Sequence, residues 1–178
     1  DWSSDVCSSD LNGYDYIIEM DADFSHDPND LDRLCAACDA GADVAVGSRY
    51  VKGGKTENWP LDRKIYSQGG SAYTRIITGM PVKDPTAGFV CYKKEVLETI
   101  NFEAINFVGY AFQIEMKFAA WKLGFRIKEV PITFVDRKEG TSKMSAGILK
   151  EGVFGVLKIQ WRSLFKNYRN QVTKSATA

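Results

Sequence analysis

The chain has no long apolar run: no stretch of its 178 residues approaches the roughly 20 consecutive apolar residues that a membrane-spanning helix needs. No signal-peptide pattern is visible at its start, and a soluble or peripheral protein is expected. It also lacks a surplus of charge. Its 23 Lys and Arg balance 23 Asp and Glu, so no global field draws in nucleic acid, and any anion site must come from a local cluster. Cysteines are few and badly spaced for metal. Cys35-x-x-Cys38 falls in a helical stretch without the second pair or His cluster of a zinc site, and reads as small helix residues ahead of redox or metal ligands. Cys7 and Cys91 have no evident partner, which suits reduced thiols in a reducing compartment. No repeat or linker divides the chain, and 44% apolar with 26% charged residues is enough for one ordinary core.

Residues 1–11 begin without Met and show neither helical nor strand period; they are expected to be a non-native, adapter-derived segment outside the fold, with the native reading frame extending upstream. From there on, strand and helix signals alternate. Tyr16–Met20 is a short apolar run with strand character. A helix opened by Asp27-Pro28 places Leu31, Leu34 and Cys38 on one face and ends at Gly41. Asp43–Gly47 reads as a second strand, and a Gly-rich loop over 52–59 leads to a helix from Leu61 to about Thr78, weakened by Gly69-Gly70. Gly88–Tyr92 is a third strand, followed by a short helix to Ile100. Phe112, Met116, Ala119 and Ala120 mark a helix from Tyr110 to Leu123, with Gly124 as its C-terminal cap. Ile127–Val135 is extended, and Pro131 demotes it to an edge or irregular strand. This alternation predicts a layered α/β fold.

The chemistry begins at the end of the first strand, where Asp21-Ala22-Asp23 sets two carboxylates about one small residue. Open α/β sheets place ligands beyond strand carboxyl ends, and hard cations such as Mg2+ or Mn2+ take carboxylate oxygens together with substrate phosphates. A solvated Asp turn is the plainer alternative. Cations that could meet a bridging anion stand at Arg49, past the second strand, and at Arg137 and Lys143, in a Gly-Thr-Ser loop able to bend and donate. Alone, that loop reads first as a solvated charged turn and only second as a phosphate clamp. Toward the end, Ile148, Leu149, Val153, Val156, Leu157, Ile159, Trp161, Leu164 and Phe165 form an apolar helix edged by Lys150, Lys158, Arg162, Lys166 and Arg169. It fits either an anionic membrane surface or a terminal helix packed on its own domain. Residues 170–178 are expected to be a disordered polar tail.

Six blocks taken together carry a resemblance. They are Met20-Asp21-Ala22-Asp23-Phe24-Ser25-His26, Gly47-Ser48-Arg49-Tyr50, Arg63-Lys64-Ile65-Tyr66-Ser67, Asp84-Pro85-Thr86-Ala87-Gly88-Phe89, Gly109–Met116 and Glu129–Arg137. In this order, from about Tyr14 to Tyr168, the chain resembles the polyprenol (dolichol) phosphate mannose synthases, inverting family 2 glycosyltransferases of GT-A fold. The resemblance implies an α/β, Rossmann-like three-layer sandwich, incomplete at its amino terminus, with residues 12–169 as a partial catalytic domain.

By the same resemblance, Asp21 and Asp23 are the metal pair for Mg2+ or Mn2+, and the Ala22 backbone lies near the nucleotide. Ser25 stands where some relatives place a Gln on the metal, and is a shorter ligand. Arg49, Arg63 and Ser67 match acceptor-phosphate positions, Arg49 also reaching the donor, while Arg137 and Lys143 match donor-diphosphate contacts; Asp23, Arg49 and Arg137 are the implied catalytic set. The implied reaction moves mannose from GDP-mannose to a polyprenyl phosphate at the cytoplasmic face of a membrane. The protein would attach peripherally or through an anchoring partner subunit. Asp84 and His26 are read as structural groups, because a phosphate dianion needs no strong general base. The residues that read the nucleoside belong upstream of this chain, which is therefore expected to be inactive by itself. The rivals are a polyprenyl-phosphate glucosyltransferase using UDP-glucose, a haloacid-dehalogenase-type phosphatase, which Phe24-Ser25-His26 does not fit, and a non-catalytic nucleotide or lipid-phosphate binder.

Overall fold

A computed structural model describes residues 13–136 and 146–169. Arg137, Lys143, Cys7, the segment 1–11 and the tail 170–178 all lie outside the described residues.

The elements run β1 (Tyr16–Glu19), α1 (Asp30–Asp39), β2 (Val44–Ser48), β3 (Lys55–Glu57), α2 (Leu61–Thr78), β4 (Val90–Lys93), α3 (Lys94–Thr99), a 3-10 turn (Phe102–Ala104), α4 (Gly109–Lys122), β5 (Ile127–Pro131), β6 (Thr133–Val135) and α5 (Ala146–Arg162). Apart from the extended segment Ile127–Val135, the helices and strands expected from the sequence form, shifted by a few residues at their ends. Gly69 and Gly70 do not interrupt α2, which runs unbroken through them with Ser71, Thr74 and Thr78 on its buried side. Gly124, at φ +91°, takes the left-handed turn that ends α4.

Strands β1, β4, β2 and β5 pair in that order; β4 is antiparallel to both its neighbours, while β2 and β5 are parallel. Alternation along β2 and β4 sorts side chains between two cores. Val44, Val46, Val90 and Tyr92 face a large cluster with α4, α3 and α5. Ala45, Phe89 and Cys91 face a smaller one with Leu34, Ala37 and Cys38 of α1. Helices therefore cover both faces, giving three layers. Cys91, without an evident partner in the sequence, packs Sγ against the Sγ of Cys38 at 3.8 Å, and both are fully buried.

Ile127–Val135 does not form one strand. Pro131 ends β5 on the edge of the four-stranded sheet, and the chain leaves to form β6, which pairs in parallel with β3. The Gly-rich loop expected over 52–59 contains β3, which Gly53 and Gly54 precede. Gly54 is required for the approach, because a Cβ there would lie 2.4 Å from the Ser48 carbonyl oxygen.

Helix α5 packs on its own domain along one face and leaves an aromatic face exposed. Val156 and Ile159 are buried as it packs on α2 and α4, while Phe154, Leu157, Trp161 and Phe165, spaced three and four residues apart, remain exposed. No helix among the described residues is long and apolar enough to cross a membrane.

Candidate active site

A cavity of about 630 Å³ opens beyond the carboxyl ends of β1 and β2. Its wall brings together Asp21, Ala22, Asp23, Arg49, Arg63 and Ser67, which are far apart in sequence, and is completed by Trp59, Tyr66, Tyr110 and, from α5, Val153 and Val156.

The Asp21–Asp23 turn is held by its own backbone. Asp23 Oδ1 accepts the Ser25 N–H at 3.1 Å, and Phe24 adopts φ +60°, an uncommon conformation for a residue with a bulky side chain. The Phe24 ring is 89% exposed, so burial does not account for that conformation. The Asp21 carboxylate is half exposed, lies against the Cα of Gly88, where a Cβ would sit 3.5 Å from Oδ2, and has His26 Nε2 at 3.5 Å. His26 is buried between the rings of Phe89 and Phe134, at centroid distances of 4.9 and 5.0 Å. Ser25 is also buried, its carbonyl accepting the Val135 N–H at 3.0 Å, and it is not among the residues that line the cavity.

Two carboxylates across one small residue form a hard oxygen set suited to Mg2+ or Mn2+. Among the described residues no group of three or more His, Cys, Asp or Glu stands ready to enclose an ion. Two carboxylates suit a cation that takes its remaining ligands from substrate phosphate and water, as Mg2+ usually does.

Arg49 is held inside the wall. Its Nε and Nη2 donate to Asp84 Oδ2 and Oδ1 at 2.7 and 2.6 Å, Nη2 also to Thr86 Oγ1 at 3.0 Å, and its backbone N–H to Asp84 Oδ2 at 2.9 Å. Tyr50, Trp59 and Phe134 surround the guanidinium with ring centroids 5.1 to 5.5 Å away. The Asp84 carboxylate is fully buried and engaged by this pair, so it is not free to take a proton from a substrate. Arg63 stacks 4.1 Å over Trp59 and donates to Asp136 Oδ1 at 2.6 Å. Ser67 accepts from the Tyr50 hydroxyl at 2.6 Å, and burial pushes the Tyr50 pKa up, keeping that phenol a donor.

Sequence reasoning missed the polar group behind this wall. Lys117, inside α4, is fully buried, and burial pulls its pKa down to about 8. Its Nζ donates to the Ala87 carbonyl at 2.7 Å and to the Gln113 backbone carbonyl and side-chain Oε1 at 3.1 and 3.2 Å. Gln113 Nε2 donates in turn to Glu19 Oε2 at 3.3 Å. Burial raises the Glu19 pKa, and its Oε1 has no hydrogen-bond partner among the described residues. One signal was present: Glu19 shares the inward parity of β1 with Ile17, so a carboxylate was due in the core two residues before Asp21.

The cavity, the carboxylate turn and the caged arginine belong to a recognisable class of sugar-transferring protein. The Glycosyl transferase family 2 model matches residues 8–100, and the chain belongs to that family. Its mixed three-layer sheet is the Rossmann-like GT-A fold. Within the family, it is 48% identical over 144 residues to the polyprenol monophosphomannose synthase of Mycolicibacterium smegmatis, covering 81% of this chain and 54% of that protein. It is 49% identical over 156 residues to the undecaprenyl-phosphate mannosyltransferase of Micrococcus luteus, covering 85% of this chain and 64% of the relative. The dolichol-phosphate mannosyltransferase of Pyrococcus furiosus is 39% identical over 141 residues, 77% of this chain and 38% of its own length. The chain thus spans between half and two thirds of the first two relatives.

Proposed function

We propose that the complete protein transfers mannose, with inversion, from GDP-mannose to a polyprenyl phosphate, working peripherally at the cytoplasmic face of a membrane. The observation that carries this reading is the single cavity that joins the Asp21–Asp23 turn to Arg63 and Ser67 and continues onto α5, with its exposed aromatic stripe. The names of three relatives, each a lipid-phosphate mannosyltransferase or mannose synthase, support both the sugar and the acceptor class.

Asp21 and Asp23 would hold the divalent cation, which when bound supplies Lewis-acid stabilisation to a departing diphosphate. Arg63, oriented by Trp59 and Asp136, presents a cation to the acceptor phosphate, and Ser67, already accepting from Tyr50, keeps its own proton to donate. Arg137 and Lys143 are the cations assigned to the donor diphosphate. A lipid phosphate monoester is largely dianionic at neutral pH, as its second pKa near 6 requires, so it attacks without a general base. The engagement of Asp84 by Arg49 agrees with this.

The test uses the complete reading frame with radiolabelled GDP-mannose or UDP-glucose and polyprenyl phosphate, and in parallel Mn2+ titration followed by electron paramagnetic resonance. Mannolipid formation that requires a divalent cation, with Mn2+ binding lost in Asp21→Asn and Asp23→Asn, is expected. Transfer from UDP-glucose alone would show the wrong sugar. Donor binding with no turnover on either would reduce the protein to a binder.

A further inference from the structure

The buried ammonium of Lys117 lies outside everything assigned above. Helix α4 is buried continuously from Ala111 to Ala120, so a lysine there is expensive and must be fully hydrogen-bonded. All three of its N–H donors are used, and their acceptors are informative. Two belong to Gln113, one turn back on the same helix; the third, and shortest, is the Ala87 carbonyl of the loop before β4.

That loop forms the back of the carboxylate turn. Gly88, the next residue, sets its Cα beside the Asp21 carboxylate, and the Ala87 N–H closes a turn onto the Asp84 carbonyl at 3.2 Å. Lys117 thus reaches from the interior of α4 to the peptide that backs Asp21, while Gln113 carries the same helix to Glu19 at the end of β1. The two chain segments that meet at Asp21 are tied to one helix by one polar group.

We propose that Lys117 is a positioning residue for Asp21: from inside α4 its ammonium clamps the Ala87 carbonyl and so fixes the Ala87–Gly88 backbone against which the Asp21 carboxylate lies. It touches neither substrate nor metal. The inference rests on the reading of Asp21 as a metal ligand. Glu19, at the far end of the Gln113 amide, is the counter-charge that makes a buried lysine tolerable.

The experiment compares three variants of the complete protein: Lys117→Met, Glu19→Gln, and the Glu19→Gln/Lys117→Met double, which removes both buried charges and so preserves folding. Leu97→Ala, a core truncation in α3, supplies a control of lowered stability away from the loop. Two readouts are taken: amide hydrogen exchange at Ala87, which needs no metal, and Mn2+ affinity by electron paramagnetic resonance. Lys117→Met and the double are expected to expose the Ala87 amide and to weaken Mn2+ binding about tenfold, as loss of a group that orients a metal ligand does. Leu97→Ala is expected to leave both within about twofold, below that same scale, while Glu19→Gln, which strips Lys117 of its counter-charge, is expected to lower stability yet keep the Ala87 amide protected because the ammonium still donates to the Ala87 carbonyl. Unchanged exchange at Ala87 in the double overturns the clamp. So does an equal loss of Mn2+ affinity in Leu97→Ala. A wild-type protein that binds no Mn2+ overturns the metal reading instead, and the Ala87 exchange then decides the clamp alone.

Discussion

Replacing Asp84 by Asn should cost far more stability than any exposed ion pair could. Asp84 is fully buried and accepts four hydrogen bonds, three of them from Arg49, whose own side chain is only 9% exposed. Asparagine keeps the shape but loses the charge, and sets an NH2 group against one guanidinium nitrogen. Arg49 is left as a buried cation with no compensating anion, surrounded by three aromatic rings that cannot replace a carboxylate. Breaking one side of such a pair costs about 3–5 kcal/mol. Urea unfolding of Asp84→Asn should show a loss of that size. The double variant Arg49→Met/Asp84→Leu, which removes both charges and keeps the volume apolar, should lose less than Asp84→Asn alone. A loss below about 1 kcal/mol in Asp84→Asn, the value of a surface pair, would refute the reasoning, and so would losses that simply add in the double.

Two further outcomes follow from the buried lysine and the terminal helix. Lys117 binds its proton less tightly in the fold, with a pKa of about 8, than in the unfolded chain, where 10.5 applies. The unfolded state then holds more protons between these values, so stability rises with pH across that window and falls as pH drops through 8. The unfolding free energy of the wild type relative to Lys117→Met should therefore climb by about 2 kcal/mol between pH 8 and 10; a flat difference would mean that the ammonium is not desolvated. Phe154, Trp161 and Phe165 are 67%, 70% and 81% exposed beside Lys158, Arg162 and Lys166. Changing the three aromatics to Ser should weaken sedimentation with anionic phospholipid vesicles by about a thousandfold or more, since burying each ring contributes about 1.5–3 kcal/mol. Unaltered sedimentation would remove α5 from the membrane contact.

Local features were legible in the chain. Asp27-Pro28 and Gly41 bracket α1, Gly124 ends α4, and the short apolar run before Asp21 is β1, because caps, glycine turns and apolar runs act over a few residues. The carboxylate pair, Arg49, Arg63 and Ser67 were all nameable from motif blocks, and the fold lines each of them along one cavity. Less legible was β3, whose partner β6 lies about 80 residues away, and the polar character of α4, where a stripe of apolar residues drew attention from Gln113, Glu115 and Lys117.

What the sequence determined by itself is therefore the list of chemical groups and their local presentation: two carboxylates at a strand end, cations on later loops, an aromatic and basic terminal helix. Tertiary structure alone decided what each group is paired with. Arg49 meets Asp84 across 35 residues, Lys117 meets Ala87 across 30, and Glu19 meets Gln113 across 94. Those pairings depend on the order β1-β4-β2-β5 and on α4 packing behind it. Long-range contacts of this kind carry no local signature, because the chain-closure entropy they overcome and the burial that rewards them belong to the whole fold.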